Sequence, residues 1–333
     1  MRNEDEYLDR CLASVLGQDY PADRLEVLIY DGLSTDRSRE IAGEFVAGRA
    51  GWALCENPAR IQAAAWNLGI ERATGEIVGI MSGHASLGPK YLTAAVETLE
   101  RTGAEMVGGP VRAESTSPLG AAIALAMSTP YGVGGARFRY TAREEEVDTV
   151  FMGVCRRETY QRFRFSEEMV RNQDDELSYR ILDAGGRIVC NPRIESSYQV
   201  RTSLRGLWHQ YFQYGFWKVR VMQEHPAQVR PRQLVPPAFV GALSAGLLLA
   251  PMSTRVRRAT AAGTGAYAAA NVIAAAWVSR GRGGLLVLLP PVFATLHVAY
   301  GVGVLAGMVR FRAGWSRSSL ETIVRSLIGR ARH

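Results

Sequence analysis

LEVLIYDGLSTD, residues 25–36, is the stretch on which the fold turns. A short apolar run, 25–30, ends in Asp31-Gly32. That is the pattern of a buried strand entering a tight turn. Ser34, Thr35 and Asp36 follow, side chains that cap helices, so a helix is predicted over 37–47. The same alternation extends outward. Further strands are predicted at 76–81 (EIVGIM), 105–111 (EMVGGPV), 149–155 and 187–190, and helices at 7–16, 61–72 and 91–101. Strands alternating with helices predict an α/β domain over residues 1–200 with mostly parallel pairing. Ligands of such sheets sit beyond the carboxyl ends of strands, where Asp31 and Ser82-Gly83-His84 fall.

Beyond residue 200 the composition changes. Residues 203–223 (SLRGLWHQYFQYGFWKVRVMQ) interleave six aromatic side chains with Arg205, His209, Lys218 and Arg220. Basic aromatic helices of this kind lie in membrane interfaces, although a core-packing helix has the same look. Three uncharged stretches follow, at 233–254, 259–279 and 283–309. A helix needs about 20 residues to cross a bilayer, so about three transmembrane helices are expected over 233–309, between an amphipathic segment 201–232 and a basic tail 310–333. From residue 234 onward Glu321 is the only acid against eleven arginines, which leaves 28 basic and 31 acidic side chains before it. The net charge of +7 therefore belongs to the apolar third, as membrane-flanking charge, and no basic stripe marks the rest for nucleic acid. Three crossings would put the C-terminus opposite the catalytic domain, yet Arg310, Arg312, Arg317, Arg325, Arg330 and Arg332 favour the inner side. Residues 1–10 are acidic and polar, unlike a signal peptide, so the catalytic part is expected in the cytoplasm. Four dispersed cysteines lack metal spacing and are expected to be reduced thiols.

Four constellations can carry chemistry. Asp31 at a strand end can accept hydrogen bonds from a nucleotide, though Asp and Ser also serve as plain turn residues. In Arg60-Ile-Gln-Ala-Ala-Ala-Trp-Asn67, Arg60 at a helix start can offset phosphate charge and Asn67 can bond a donor. Ser82-Gly83-His84 ends a strand, where His84 is a competent ligand for a divalent ion. Asn172-Gln173-Asp174-Asp175-Glu176 opens a helix with three adjacent acids. Mutual repulsion raises the pKa of such a group, which suits a general base.

In this order the pieces resemble the family 2 glycosyltransferases of the GT-A fold, a Rossmann-like mixed sheet. Arg2-Asn3-Glu4 looks like the family's R-N-E, Gln18-Asp19-Tyr20-Pro21 its Q-x-Y-P, Asp31–Asp36 its D-G-x-S-x-D, and Gln173-Asp174 its E-D. The run Arg171–Glu176 with Gln210–Lys218 looks most like the succinoglycan-building branch. The resemblance implies an inverting transferase moving a hexose from a nucleotide sugar, with UDP as nucleotide, to a lipid-linked glycan in extracellular or capsular polysaccharide synthesis at a bacterial inner membrane. It implies Asp174 as catalytic base, and Asp31, Asp36, Arg60, Asn67 and Ser82 on the donor. Asp175, Glu176, Gln210 and Trp217 fall on the acceptor side. His84 is the metal position for Mn²⁺ or Mg²⁺. Two departures stand out. Ser82 replaces the first carboxylate of the D-x-D motif, which opens the alternative of a catalytically weakened nucleotide- or glycan-binding relative. The family's apolar first strand has no counterpart before Arg2, and an upstream extension of the natural product is expected. A nucleotidyltransferase remains a third reading, distinguished by release of pyrophosphate.

Overall fold

The computed structural model describes residues 1–330; Arg332, at the end of the expected basic tail, lies outside them. In chain order the elements are α1 (Asp5–Leu16), β1 (Val27–Asp31), α2 (Ser38–Val46), β2 (Trp52–Glu56), α3 (Gln62–Arg72), β3 (Ile77–Gly79), β4 (Ala85–Leu87) and α4 (Tyr91–Thr102). Then come β5 (Met106–Gly109), β6 (Val111–Glu114), α5 (Pro118–Met127), α6 (Pro130–Val133), β7 (Glu145–Glu146), β8 (Phe151–Arg156), α7 (Arg157–Phe163), α8 (Gln173–Asp183), β9 (Ile188–Cys190) and β10 (Ser196–Gln199). The chain finishes with α9 (Leu204–Glu224), α10 (Pro231–Leu249), α11 (Thr254–Val278), α12 (Leu289–Arg310) and α13 (Arg317–Arg330). It divides into two units, residues 1–112 with 137–199, and residues 113–136 with 200 onward.

The first unit is the α/β domain. β1 pairs parallel with β2, and α2 makes the crossover between them. A five-stranded sheet runs β3-β8-β5-β9-β7. Within it β5 and β9 are parallel, while β8 is antiparallel to both β3 and β5, and β7 to β9. β4 pairs antiparallel with β10. The pairing is therefore mixed rather than mostly parallel. Parallel pairs need a crossover connection. β8 is reached from an irregular stretch and the two-residue β7, so nothing constrains it to run with its neighbours. Ala63, Ile70, Met106, Leu177, Ile181 and Ile188 bury the helices α3 and α8 on the sheet, and Leu8, Leu12, Ile29 and Ala42 bury α1 and α2 on β1. Three cysteines, Cys11, Cys155 and Cys190, are buried and unbridged; Cys55 is half-buried. Burial pushes the Cys11 and Cys190 thiols up to about 12, so they are inert at neutral pH.

The second unit is helical. Residues 116–136 contain α5 and α6 despite Gly132-Val133-Gly134-Gly135. Ser117 Oγ accepts from Gly120 N and Thr129 Oγ1 from Gly132 N, so both helices start on side-chain caps that override the glycines. α10, α11 and α12 are each long and apolar enough to cross a membrane. α12 is the central one. It packs along α9 at Gly215, Gly303 and Gly307, where any side chain would strike the facing backbone.

Candidate functional site

Residues 1–5 form a seam that joins two loops at strand ends. Met1 O accepts from Gly32 N at 2.8 Å, holding this stretch beside the end of β1. Asn3 takes a left-handed backbone (φ 54) and faces the 31–36 loop. Its backbone N–H donates to Ser34 Oγ at 3.0 Å and its Oδ1 accepts from Thr35 N at 2.9 Å. Glu4 N donates to Ser38 Oγ and Asp5 N to Asp36 Oδ2. On the other side Glu4 Oε1 lies 3.1 Å from His84 Nδ1. Glu4 thus connects the Asp31 loop to the Ser82–His84 turn after β3. The R-N-E signal was in the sequence, but its partner could not be read there.

Asp31 is fully buried at the carboxyl end of β1. Oδ1 accepts from Ser34 Oγ at 2.6 Å and from Ser34 N at 3.2 Å, and Oδ2 faces Arg39 at 3.4 Å. Arg39 also reaches Glu56 at the end of β2. Leu33 turns the loop at φ 58, which lets the Ser34 N–H point back at the carboxylate. Asp36 is different. Burial pushes its carboxyl up, but hydrogen bonds from Ser38 and Asp5 outweigh that and hold it below the usual carboxylate value. It ties the first turns of α1 and α2 together by accepting from Asp5 N and Ser38 N.

Ser82 is buried, and its Oγ accepts from Gln62 Nε2 at 3.3 Å; Gln62 opens α3. Ser82 O takes the Cys11 thiol. Arg60 stands just before α3, exposed, at φ 59. Asn57 beneath it is buried. Its N–H donates to Asp31 O and its Nδ2 to Ile61 O, while its Oδ1 has no partner among the described residues. Hydrogen bonds thus pair Asp31 with Asn57, Asn57 with Arg60 through their backbones, Gln62 with Ser82, and Glu4 with His84; Asn57, Gln62 and Glu4 were not anticipated.

Asn67 is a correction. It is buried inside α3, and its Nδ2 donates to Phe165 O at 2.9 Å and to Glu167 Oε1 at 2.8 Å. Its Oδ1 accepts from Phe165 N at 2.8 Å. Both amide protons are spent inside the fold, so Asn67 does not serve a donor. It pins the segment that leads to α8. Asn172 precedes α8 at φ 63, and Asp174 and Asp175 stand half-exposed in its first turn. Asp174 Oδ1 accepts from Asp175 N and its backbone O from Ser178 Oγ. Glu176, placed by expectation on the acceptor side, is instead buried and grips Arg180 through both oxygens, at 2.6 and 2.8 Å. Arg180 in turn donates to Phe163 O and Arg164 O. An acid on the inward face of α8 was bound to find a structural partner.

In the second unit Gln210 and Trp217 lie on α9, Gln210 bonded to Tyr214 and Trp217 against Phe216 and Phe311.

Comparison with known proteins fixes the class. The family described as glycosyl transferase family 2 matches residues 1–164. Residues 1–164 are a family 2 glycosyltransferase domain. The enzyme is 29% identical over 222 residues to a dolichyl N-acetyl-alpha-D-glucosaminyl phosphate 3-beta-D-2,3-diacetamido-2,3-dideoxy-beta-D-glucuronosyltransferase of Methanococcus voltae, covering 64% of this chain and 69% of the relative. It is also 29% identical over 290 residues to the succinoglycan biosynthesis protein ExoA of Rhizobium meliloti (strain 1021), covering 86% of each. Among solved structures it resembles the mannosyltransferase PcManGT of Pyrobaculum calidifontis in complex with GDP-Man and Mn²⁺, with a TM-score of 0.59 over 93% of this chain and 86% of that one at 21% identity. The glycosyltransferase domain has the GT-A fold and is followed by apolar helices of membrane-spanning length.

Proposed function

We propose that this glycosyltransferase moves a hexose from a nucleoside diphosphate sugar, UDP-linked, to a lipid-linked saccharide, with inversion, during polysaccharide assembly at the cytoplasmic face of a bacterial inner membrane. The observation that carries the reading is the seam at residues 3–4, which ties the Asp31 loop to His84. In it Asp31 and Asn57 offer acceptors to base and ribose, and Arg60 offers charge to the diphosphate. His84 with Glu4 beside it gives one imidazole nitrogen and one carboxylate oxygen, a donor set suited to Mn²⁺ or Mg²⁺ that leaves the remaining positions to phosphate. When bound, the ion neutralises charge building on the leaving diphosphate. Asp174 takes the proton from the acceptor hydroxyl as its oxygen attacks the anomeric carbon. The bond to the diphosphate breaks on the opposite face, so the configuration inverts and no glycosyl-enzyme forms. Asp175, beside Asp174, serves the acceptor. The names of the two sequence relatives, one acting on a dolichyl phosphate sugar and one in succinoglycan synthesis, support a lipid-linked or polysaccharide acceptor.

The test is UDP release in membranes with candidate UDP-hexoses, with and without Mn²⁺ or Mg²⁺, beside Asp174→Asn. A general base contributes roughly 10²–10⁴-fold, so that loss in turnover is expected with donor binding kept. Donor binding without turnover in the unmodified chain would instead favour the binding-only alternative, which Ser82 motivates: its hydroxyl is bonded to Gln62 and brings no carboxylate to the site.

A further inference from the structure

The flanks of the apolar region touch. Ser326 Oγ in α13 donates to Ala227 O, just before α10, at 2.8 Å. Gln223 Nε2, at the end of α9, donates to Phe311 O, just after α12, at 2.7 Å. Val219, Met222, Val229, Val304 and Ile323 close one apolar cluster around these contacts. A hydrocarbon core is about 30 Å thick, so segments joined by hydrogen bonds lie on one face of it. Residues 231–310 therefore make an even number of complete crossings, and the three helices of spanning length do not make three.

α10 packs on both its neighbours, on α12 where Gly301 meets Pro236 O and on α11, so charge rather than packing alone selects the pair that crosses. α10 and α11 form an antiparallel hairpin, with Gly246 against Thr260 and Phe239 against Tyr267 at a ring distance of 4.4 Å. The hairpin exposes Leu247, Leu248, Val272, Ile273 and Trp277. α12 is held differently. Its Gly303 and Gly307 meet the backbone of Phe212 and Phe216, so α9 runs beside it in the same direction. α9 carries Arg205, His209, Lys218, Arg220 and Glu224. A crossing by α12 would draw those charges into hydrocarbon.

We propose that α10 and α11 are the crossing hairpin and that α13, returned to the face from which α10 enters, docks on an anionic lipid surface. This rests on the membrane-anchored reading of the chain. α13 buries Ile323 on one side and presents Leu320, Val324 and Ile328 to the outside, each about half exposed and spaced i, i+4, i+8. Arg317 and Arg325 lie on the same helix, where the one acid among the described residues, Glu321, sits 3.9 Å from Arg325, and Arg310 and Arg312 directly precede it, so the balance around the stripe is positive. An apolar stripe among arginines, adjoining a lipid-embedded hairpin, suits an interface rich in negative headgroups.

Two measurements on the full chain test this. Epitopes are inserted after Pro251, at the hairpin tip, and after His333, and probed in spheroplasts and inverted vesicles. Opposite faces for the two epitopes are expected; the same face, which three crossings or none would give, overturns the topology. For α13, Val324→Cys in a Cys55→Ser background carries an environment-sensitive dye, in nanodiscs holding one active chain each. Retained sugar transfer separates a failed proposal from a failed protein. A blue shift is expected in phosphatidylglycerol-containing discs, diminished in pure phosphatidylcholine and by Arg317→Glu with Arg325→Glu. A dye that reports water in both lipids, or equal shielding in both, overturns docking on an anionic surface.

Discussion

Replacing Asn67 with alanine separates a positioning side chain from a donor-binding one. The change removes three hydrogen bonds, two from Nδ2 and one to Oδ1, and strands the N–H and C=O of buried Phe165. Each buried group left without a partner costs about 1–3 kcal/mol, so a loss of about 3–5 kcal/mol is expected. For a domain of this size that is a fall in thermal midpoint on the order of 10 °C. The same loss frees the 165–167 segment ahead of α8, so turnover should fall while donor KM stays within about two-fold, because Asp174 is displaced and the Asp31 loop is not. Asn67→Asp keeps the acceptor for Phe165 N but sets a carboxylate against Glu167 and Phe165 O, so it should destabilise at neutral pH as well. The assays are thermal unfolding in detergent and initial rates against donor concentration. If Asn67→Ala melts within about 2 °C of the unmodified protein and raises donor KM about ten-fold, the positioning role is wrong and Asn67 touches the donor.

Three further outcomes follow from the geometry. The Asp36 carboxyl is held below its usual value in the folded state, so its stabilising contribution is present above the ordinary carboxylate range and lost as pH falls through the lowered value. Asp36→Asn should flatten the acid limb of the midpoint-versus-pH curve between about pH 5 and 3 and leave activity at neutral pH largely intact; an unchanged acid limb would count against the cap. Alkylation at pH 8 should modify Cys55 before Cys11, Cys155 or Cys190, whose thiols are raised by burial; peptide mass mapping showing early Cys11 or Cys190 labelling would contradict this. Glu4→Gln should weaken divalent activation of sugar transfer and raise the cation concentration needed for half-maximal rate, with His84→Ala acting in the same direction, whereas two variants with unchanged cation titrations would remove this pair from the metal site.

Local pattern made much of this legible. Apolar runs ending in Asp-Gly or Gly-Gly marked β1 and β5, and the three-acid run marked the start of α8, because strand and cap signals act over a few residues. The mixed sheet was implied by the resemblance to the GT-A fold but not by local pattern, which predicted mostly parallel pairing, since the direction of β8 depends on partners far away in sequence. Residue types named the site, but only packing sorted its members. Asp31, Ser82 and His84 face one another's loops because Asn3, Glu4 and Gln62 bridge them, contacts made by residues about 20 to 80 positions apart. Asn67 and Glu176 carried the same polar signal, yet each turned inward and spent its hydrogen bonds on the fold. Likewise length and hydropathy alone established that three helices could cross a bilayer. Which segments flanking those helices meet was decided only by the tertiary contacts that close Ala227 on Ser326 and Gln223 on Phe311, because these join residues about 90 to 100 positions apart, beyond the reach of local pattern.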